Sequence, residues 1–393
     1  MTPAPPAPDG LRALPGAGLL ALLLVLALVN AAAVRVNDFR VFHTAGQRVL
    51  RGEALYRAED AAYPFKYAPV VGLLLAPVGA LPLRPAKLLW EIGSALALFA
   101  FLRQAARLAA PAPTRAANAL AAVLLLPYLW HVFSLGQIDG FLLGAIALSD
   151  RWADRRPALS GLLWSLTVLT KPPYLVFVAA ALVARQGRRL AALVAGLAAG
   201  LGLPALVWGW GQNLEVLHAW RAVLGRTTPE LFCASSNQSF WAIGCRYLGP
   251  GLAGAAAGAA VGTLALAGAT AWAVRAAPSG ARDTVTSSCL GATALVSPLG
   301  WWTNLVALAP LVLGLLATLS RAEAPRWARA VAAAAVAALA GVALLTAEIV
   351  PRDTFVFWLN LRHYGLAALA ATLAALAVRA PRAYSQPMTT SSM

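Results

Sequence analysis

Long apolar runs recur along the chain, broken by short polar turns. An α-helix rises about 1.5 Å per residue, so roughly 20 apolar residues cross the ~30 Å hydrocarbon layer of a bilayer. The pattern predicts about twelve membrane-spanning helices, near 14–34, 86–103, 116–134, 137–150, 157–170, 172–185, 190–209, 251–275, 284–298, 300–319, 327–347 and 358–379. Several are short for a full crossing and suit helices that end inside the protein or where the bilayer thins. The runs are continuous rather than alternating, which argues against a membrane β-barrel. The expected fold class is an all-α polytopic membrane protein, with one transmembrane domain over residues 13–380.

Residues 67–82 (YAPVVGLLLAPVGALP) decide the topology, because 16 apolar residues with three prolines make a poor span. Treated as an interfacial or re-entrant element, they leave 103–115, 149–157, 185–189, 275–283 and 320–329 as cytoplasmic connections. Those five loops hold 14 Arg and no Lys, while the opposing short turns hold one Lys. Positive charge concentrates on the cytoplasmic side of membrane proteins. Both termini are therefore expected inside, with 1–12 and 381–393 as tails, the first Pro-rich and disordered. Two long loops, 35–85 and 210–250, face outward. The first opens with NDFRVFHTAGQRVLRG, an amphipathic helix over 39–50 expected to lie along the membrane surface.

Composition agrees. The chain of 393 residues is 60% hydrophobic and only 12% charged, with net charge +16. Soluble domains carry about twice that charge fraction. The arginines sit between apolar runs rather than in one patch, which argues against nucleic acid and for contact with anionic lipid. The run 13–34 is longer than the ~7–15 apolar residues of a signal peptide and reads as an anchor. Of three cysteines, Cys233 and Cys245 share the second outer loop, where a disulfide is compatible with an oxidising compartment.

Polar residues at the outer ends carry the candidate chemistry. Asp38 follows the first span, as a helix cap or as a carboxylate in use. In YPFKYAP (63–69), Lys66 stands between Phe65 and Tyr67, either snorkelling to headgroups or binding phosphate. FSLGQIDG (133–140) places Gln137 and Asp139 in a turn for which Gly136 and Gly140 would suffice. Lys171 in LTKPPY sits at another hairpin tip, as a headgroup anchor or a phosphate ligand. Asn237 and Gln238 in SSNQSF suit sugar hydroxyls, and Trp301 and Trp302 in SPLGWWTN suit an interfacial belt or a sugar face. Asn304, Arg362 and His363 complete the outer set. There is no phosphate-cradling glycine loop, nucleotide-sugar Asp-X-Asp motif or His/Cys zinc cluster, so no metal site is expected.

Taken in order, these segments resemble glycosyltransferase family 87, bacterial membrane mannosyltransferases of the GT-C class that use polyprenyl-phosphate-mannose. The shared pattern runs from Asp38-Phe39 through Gly52 to Tyr56, Phe65, Tyr67 and Pro69, then Gly136-Gln137, Lys171-Pro172, Asn237-Gln238-Ser239, and Ser297, Pro298 and Trp301. The family often has a histidine where this chain has Thr303. Thr303 with Asn304, His131 or His363 would then take its place, or the donor or activity differs. The resemblance implies a GT-C-like fold in the bacterial cytoplasmic membrane with its active site facing outward. It makes Asp38 the catalytic base, Lys66, Lys171, Arg362 and His363 donor-phosphate ligands, and Tyr67, Gln137, Asp139, Asn237, Gln238, Trp301, Trp302 and Asn304 sugar or acceptor contacts. The partners would be a polyprenyl-phosphate sugar, membrane lipids and a glycolipid, polysaccharide or protein acceptor, with no cofactor beyond the donor. The competing classes are a transporter or flippase of lipid-linked substrates and a non-catalytic binder of lipid-linked sugars. A transporter would be expected to show two related halves and polar residues near the bilayer midplane.

Overall fold

The computed structural model describes residues 16–32, 37–60, 63–109 and 112–379, so the expected terminal tails lie outside the described residues. All regular elements among the described residues are helical. They are α1 (Gly16–Ala32), α2 (Asn37–Arg51), α3 (Pro69–Leu74), α4 (Ala76–Ala80), α5 (Leu83–Leu108), α6 (Arg115–Leu135) and α7 (Asp139–Trp152). Next come α8 (Pro157–Thr170), α9 (Val178–Val183), α10 (Gly187–Gly202), α11 (Ala205–Trp208) and α12 (Trp210–Thr227). The remainder are α13 (Phe240–Tyr247), α14 (Gly251–Ala276), α15 (Ala281–Val296), α16 (Ala309–Leu319), α17 (Arg326–Ala343), α18 (Arg352–Asn360) and α19 (His363–Arg379).

Two compact units form, one of residues 16–104 with 126–234 and one of 105–125 with 235–379. In the first, α8 packs against both α7 and α10, and α2 against α3 and α4. In the second, α13 packs on α14, and α19 touches α14, α15, α16 and α17. Arg189 shows how the first unit accommodates a buried charge. Its guanidinium donates to Ser149 Oγ and Gln186 Oε1 and lies 5.1 Å from the centre of the Trp164 ring.

Among the described residues, six helical stretches are long and apolar enough to cross a membrane: Leu83–Leu108, Arg115–Leu135, Gly187–Trp208, Gly251–Ala276, Trp302–Leu319 and Arg326–Ala343. The α18–α19 pair, bent by 54°, makes a seventh if counted as one. This is fewer than the twelve spans the apolar runs suggest, and the reason is length. Helices α7 and α8 have 14 residues each, about 21 Å at the helical rise. Residues 172–183 begin as a 3-10 helix over Pro172–Phe177 before α9 takes over, and together they run for only 12 residues. Residues 67–82 break as their prolines predict. Two helices of six and five residues meet at Leu75, each with a proline in its first turn.

Candidate active site

Helix α2 begins one residue before Asp38, so of the two readings left open by the sequence, a cap or a carboxylate in use, the carboxylate lies in the first turn rather than at the cap. Asp38 Oδ2 accepts a hydrogen bond from Gln137 Nε2 across 99 residues of chain. The apolar face of α2 was expected against the bilayer surface. Instead Phe39, Phe42 and Ala45 are buried within the protein. The Trp90 ring stacks on Phe42 at 5.1 Å and leans on Phe39 at 5.7 Å, while Tyr67 packs on Phe42 at 5.3 Å. At the far end of α2, Arg48 grips both oxygens of Asp60 at 2.6 Å. A bidentate guanidinium–carboxylate pair of this kind fixes orientation as well as distance.

The Gly136–Gln137 turn holds its place through backbone geometry. Gly136 has φ +66°, and a Cβ there would lie 2.6 Å from the Phe39 Cβ. Only glycine permits that close approach of the turn to α2. The Gly136 carbonyl accepts from Trp90 Nε1 at 3.0 Å, so one indole both packs on Phe39, the residue after Asp38, and anchors the turn that supplies Gln137. Asp139 is 2% exposed, and both its oxygens accept from Lys171 Nζ at 2.8 Å. A carboxylate buried that deeply needs such a counter-ion. The turn carrying Tyr67 is tied to the same place, since Ala68 N donates to Leu169 O at 3.1 Å and Tyr56 Oη donates to Tyr67 O at 2.6 Å.

Electrostatics follow from this packing. Burial raises the Asp38 carboxyl above its ordinary value, Lys171 opposes that, Asp139 reinforces it, and the Gln137 amide opposes it. Burial first, then the charges of Asp139 and Asp38, hold the Tyr67 phenol well above its ordinary value, so it stays protonated. The result is a carboxylate of raised basicity beside an amide donor, a phenol and a neutralised Lys–Asp pair. That set can accept a proton from a hydroxyl and orient polar groups around it. Lys66 is half-buried in the same unit. Its Nζ reaches the Thr227 carbonyl at 3.5 Å, and burial lowers its pKa more than Glu230 raises it.

The other sequence candidates lie in the second unit and face the backbone. Asn237 Nδ2 donates to Pro298 O at 2.8 Å, and its Oδ1 accepts from Gly300 N at 2.9 Å and Ser239 N at 3.1 Å. Gln238 donates from Nε2 to the Ser235 and Leu359 carbonyls. Arg362, 4% exposed, donates to the carbonyls of Ser235, Leu359 and Ala242 at 3.0–3.3 Å. Asn304 Oδ1 accepts from Trp301 N at 3.0 Å, Trp302 packs on Phe355 and Tyr364, and His363 packs on Tyr364 at 4.0 Å. Thr303, where the family histidine was expected, is 1% exposed and its hydroxyl finds no partner among the described residues. Cys233 and Cys245 are each disulfide-bonded, and Cys289 is buried.

Sequence reasoning missed Trp90, which lies inside an apolar run and carries no polar signature beyond its indole N–H. It also passed over Lys87 and Glu91, both buried on α5. Among the described residues no group of three or more His, Cys, Asp or Glu side chains gathers as a metal site would require.

The family model for glycosyltransferase family 87 matches residues 65–298. The crystal structure of ArnT from Cupriavidus metallidurans bound to undecaprenyl phosphate aligns with 95% of this chain and 78% of its own, at 16% identity and a TM-score of 0.41. No curated protein matches.

Proposed function

With more than half of its length matched, the chain belongs to glycosyltransferase family 87, and we propose that it transfers a hexose from a polyprenyl-phosphate sugar to an acceptor hydroxyl. By family resemblance the hexose is mannose, and the site faces outward from the bacterial cytoplasmic membrane. The observation that carries this reading is the half-buried Asp38 carboxylate, held by Gln137 and flanked by Asp139, Lys171 and Tyr67. Asp38 accepts the proton as the acceptor oxygen attacks the anomeric carbon. The lipid phosphate departs from the opposite face, so configuration inverts, from a β-linked donor to an α-linked product. A second carboxylate acting as nucleophile or acid is not needed when the leaving group is a phosphate ester.

The growing charge on the phosphate calls for a cation. Lys171 is engaged by both oxygens of Asp139, and Arg362 by three carbonyls. Of these three cations Lys66, with its long contact to a single carbonyl, is the least committed and takes that role here. Lys171 and Asp139 then hold the floor of the sugar site, with Gln137 and Tyr67 orienting hydroxyls.

The test is purified protein in lipid nanodiscs with radiolabelled polyprenyl-phosphate-mannose and candidate acceptors. Glycosyl transfer or donor hydrolysis that disappears in Asp38→Asn supports the reading. Transfer that persists in Asp38→Asn rejects the base, and lipid movement without any glycosyl transfer supports a flippase.

A further inference from the structure

Helix α5 buries two charged side chains where the sequence predicts only a span. Lys87 and Glu91, one helical turn apart, are 2% and 0% exposed. Lys87 Nζ donates to the carbonyl of Asn30, two residues before α1 ends at Ala32. Asn30 is itself buried and donates from Nδ2 to the Leu26 carbonyl at 2.9 Å. Neither oxygen of Glu91 has a hydrogen-bond partner among the described residues, and Lys87 is the charge that acts on it. Burying ionisable side chains of this kind is costly, and apolar side chains of similar volume often serve stability as well or better. Packing alone therefore gives weak reason for these two residues.

Their position gives a better one. The last carbonyls of a helix have no partner within it, and Lys87 supplies a charged donor to one of them. The next helix, α2, starts at Asn37 with Asp38 in its first turn. On the same turn of α5, Trp90 packs on Phe39 and holds the Gly136 carbonyl, next to the Gln137 that grips Asp38. One turn of α5 thus fastens the chain ahead of Asp38, the residue behind it and its hydrogen-bond partner.

We infer that Lys87 is a positioning residue that pins the end of α1 and so fixes Asp38 for catalysis. The inference rests on Asp38 being the base. Four variants test it: Lys87→Met, Lys87→Arg, the double variant Lys87→Met/Glu91→Leu, and Asp38→Asn. Each is measured for kcat, donor KM and thermal midpoint. A misplacement of about 1 Å costs on the order of 100-fold in rate, so Lys87→Met should lose kcat on that scale while donor KM stays within about twofold. Lys87→Arg, which keeps a charged donor, should retain most of the rate. The double variant should recover the thermal midpoint without recovering kcat, because the buried charges are gone but so is the clasp on Asn30. If it does not accumulate, kcat per folded molecule in Lys87→Met reads the same split. Recovery of kcat with the midpoint, or an undiminished kcat in Lys87→Met, overturns the positioning role. If Asp38→Asn is inactive at that point, the base assignment stands. Transfer surviving in Asp38→Asn overturns both.

Discussion

Helices α2 and α4 meet backbone against backbone, and a single methyl group at Gly46 measures how far Asp38 depends on that contact. A Cβ built on Gly46 lies 2.2 Å from the Leu75 carbonyl oxygen and 2.9 Å from the Gly79 nitrogen, whereas ordinary contact begins at 3.4 Å. A Cβ on Gly79 meets Gln47 N at 2.3 Å, so the approach is equally tight from the other side. The obstructing atoms are backbone and cannot rotate away, so Gly46→Ala has to move one helix by roughly 1 Å. Overpacking of this kind costs about 1–3 kcal/mol of stability. The effect on rate is the sharper measure. Helix α2 is continuous from Asn37 to Arg51, so the displacement reaches Asp38 about 12 Å away along its axis. A shift of that size at a reacting group costs about 100-fold in kcat, or about 2.7 kcal/mol in the barrier. The assay is the initial rate of transfer from labelled lipid donor, per milligram of protein shown by thermal unfolding to be folded. Gly211 has nothing within 4 Å of its Cβ position, so Gly211→Ala serves as the control and should keep full activity. A Gly46→Ala enzyme within twofold of the parent would refute the idea that this contact places Asp38.

Three further outcomes are expected. A base whose pKa is raised by burial is ionised only above that raised value, so kcat/KM should fall, as pH drops, above the ordinary aspartate value of 3.8. Lys171→Met should move this acid limb to higher pH and Asp139→Asn to lower pH, and a pH–rate profile showing either shift reversed contradicts the geometry. Arg362→Met should lower the thermal midpoint, because hydrogen bonds to three carbonyls, two of them buried, are lost at about 1–3 kcal/mol; a raised donor KM with an unchanged midpoint would instead mark Arg362 as a phosphate ligand. Arg48→Met should destabilise by about 1–3 kcal/mol, discounted from the buried-pair range because both partners are partly exposed, and thermal unfolding should show Arg48→Met/Asp60→Leu recovering most of that loss.

The sequence marked the residues of the candidate site more readily than their pairings. Asp38, Gln137, Asp139 and Lys171 stood out because polar side chains at the ends of apolar runs are expensive unless used. Nothing in the chain says that Gln137 meets Asp38 or that Lys171 meets Asp139, since such pairings come from helix packing. The break in residues 67–82 was legible because proline leaves a local signature. The Gly46–Gly79 contact was not, because close backbone approach looks like any other glycine in an apolar helix. Asn237, Gln238 and Arg362 show the opposite limit. Their side chains suggested ligand contacts, but the turns they occupy present buried carbonyls and amides that must be satisfied, and these side chains satisfy them.

The charge count at the site bears on how Asp38 works. Lys171 holds both oxygens of Asp139, so that pair contributes little net charge, and Asp38 is left as the local negative group. Burial would drive such a carboxylate to its neutral form. The Gln137 amide and the Lys171 charge oppose that drive without cancelling it. As the proposed base, a carboxylate raised in this way is a stronger proton acceptor than a solvent-exposed aspartate, which favours proton removal from a weakly acidic hydroxyl. The same balance explains why a buried, charge-consuming pair is kept beside it. Without Lys171, Asp139 would add its own repulsion to the burial that already disfavours ionised Asp38, and the base would become stronger but less often available.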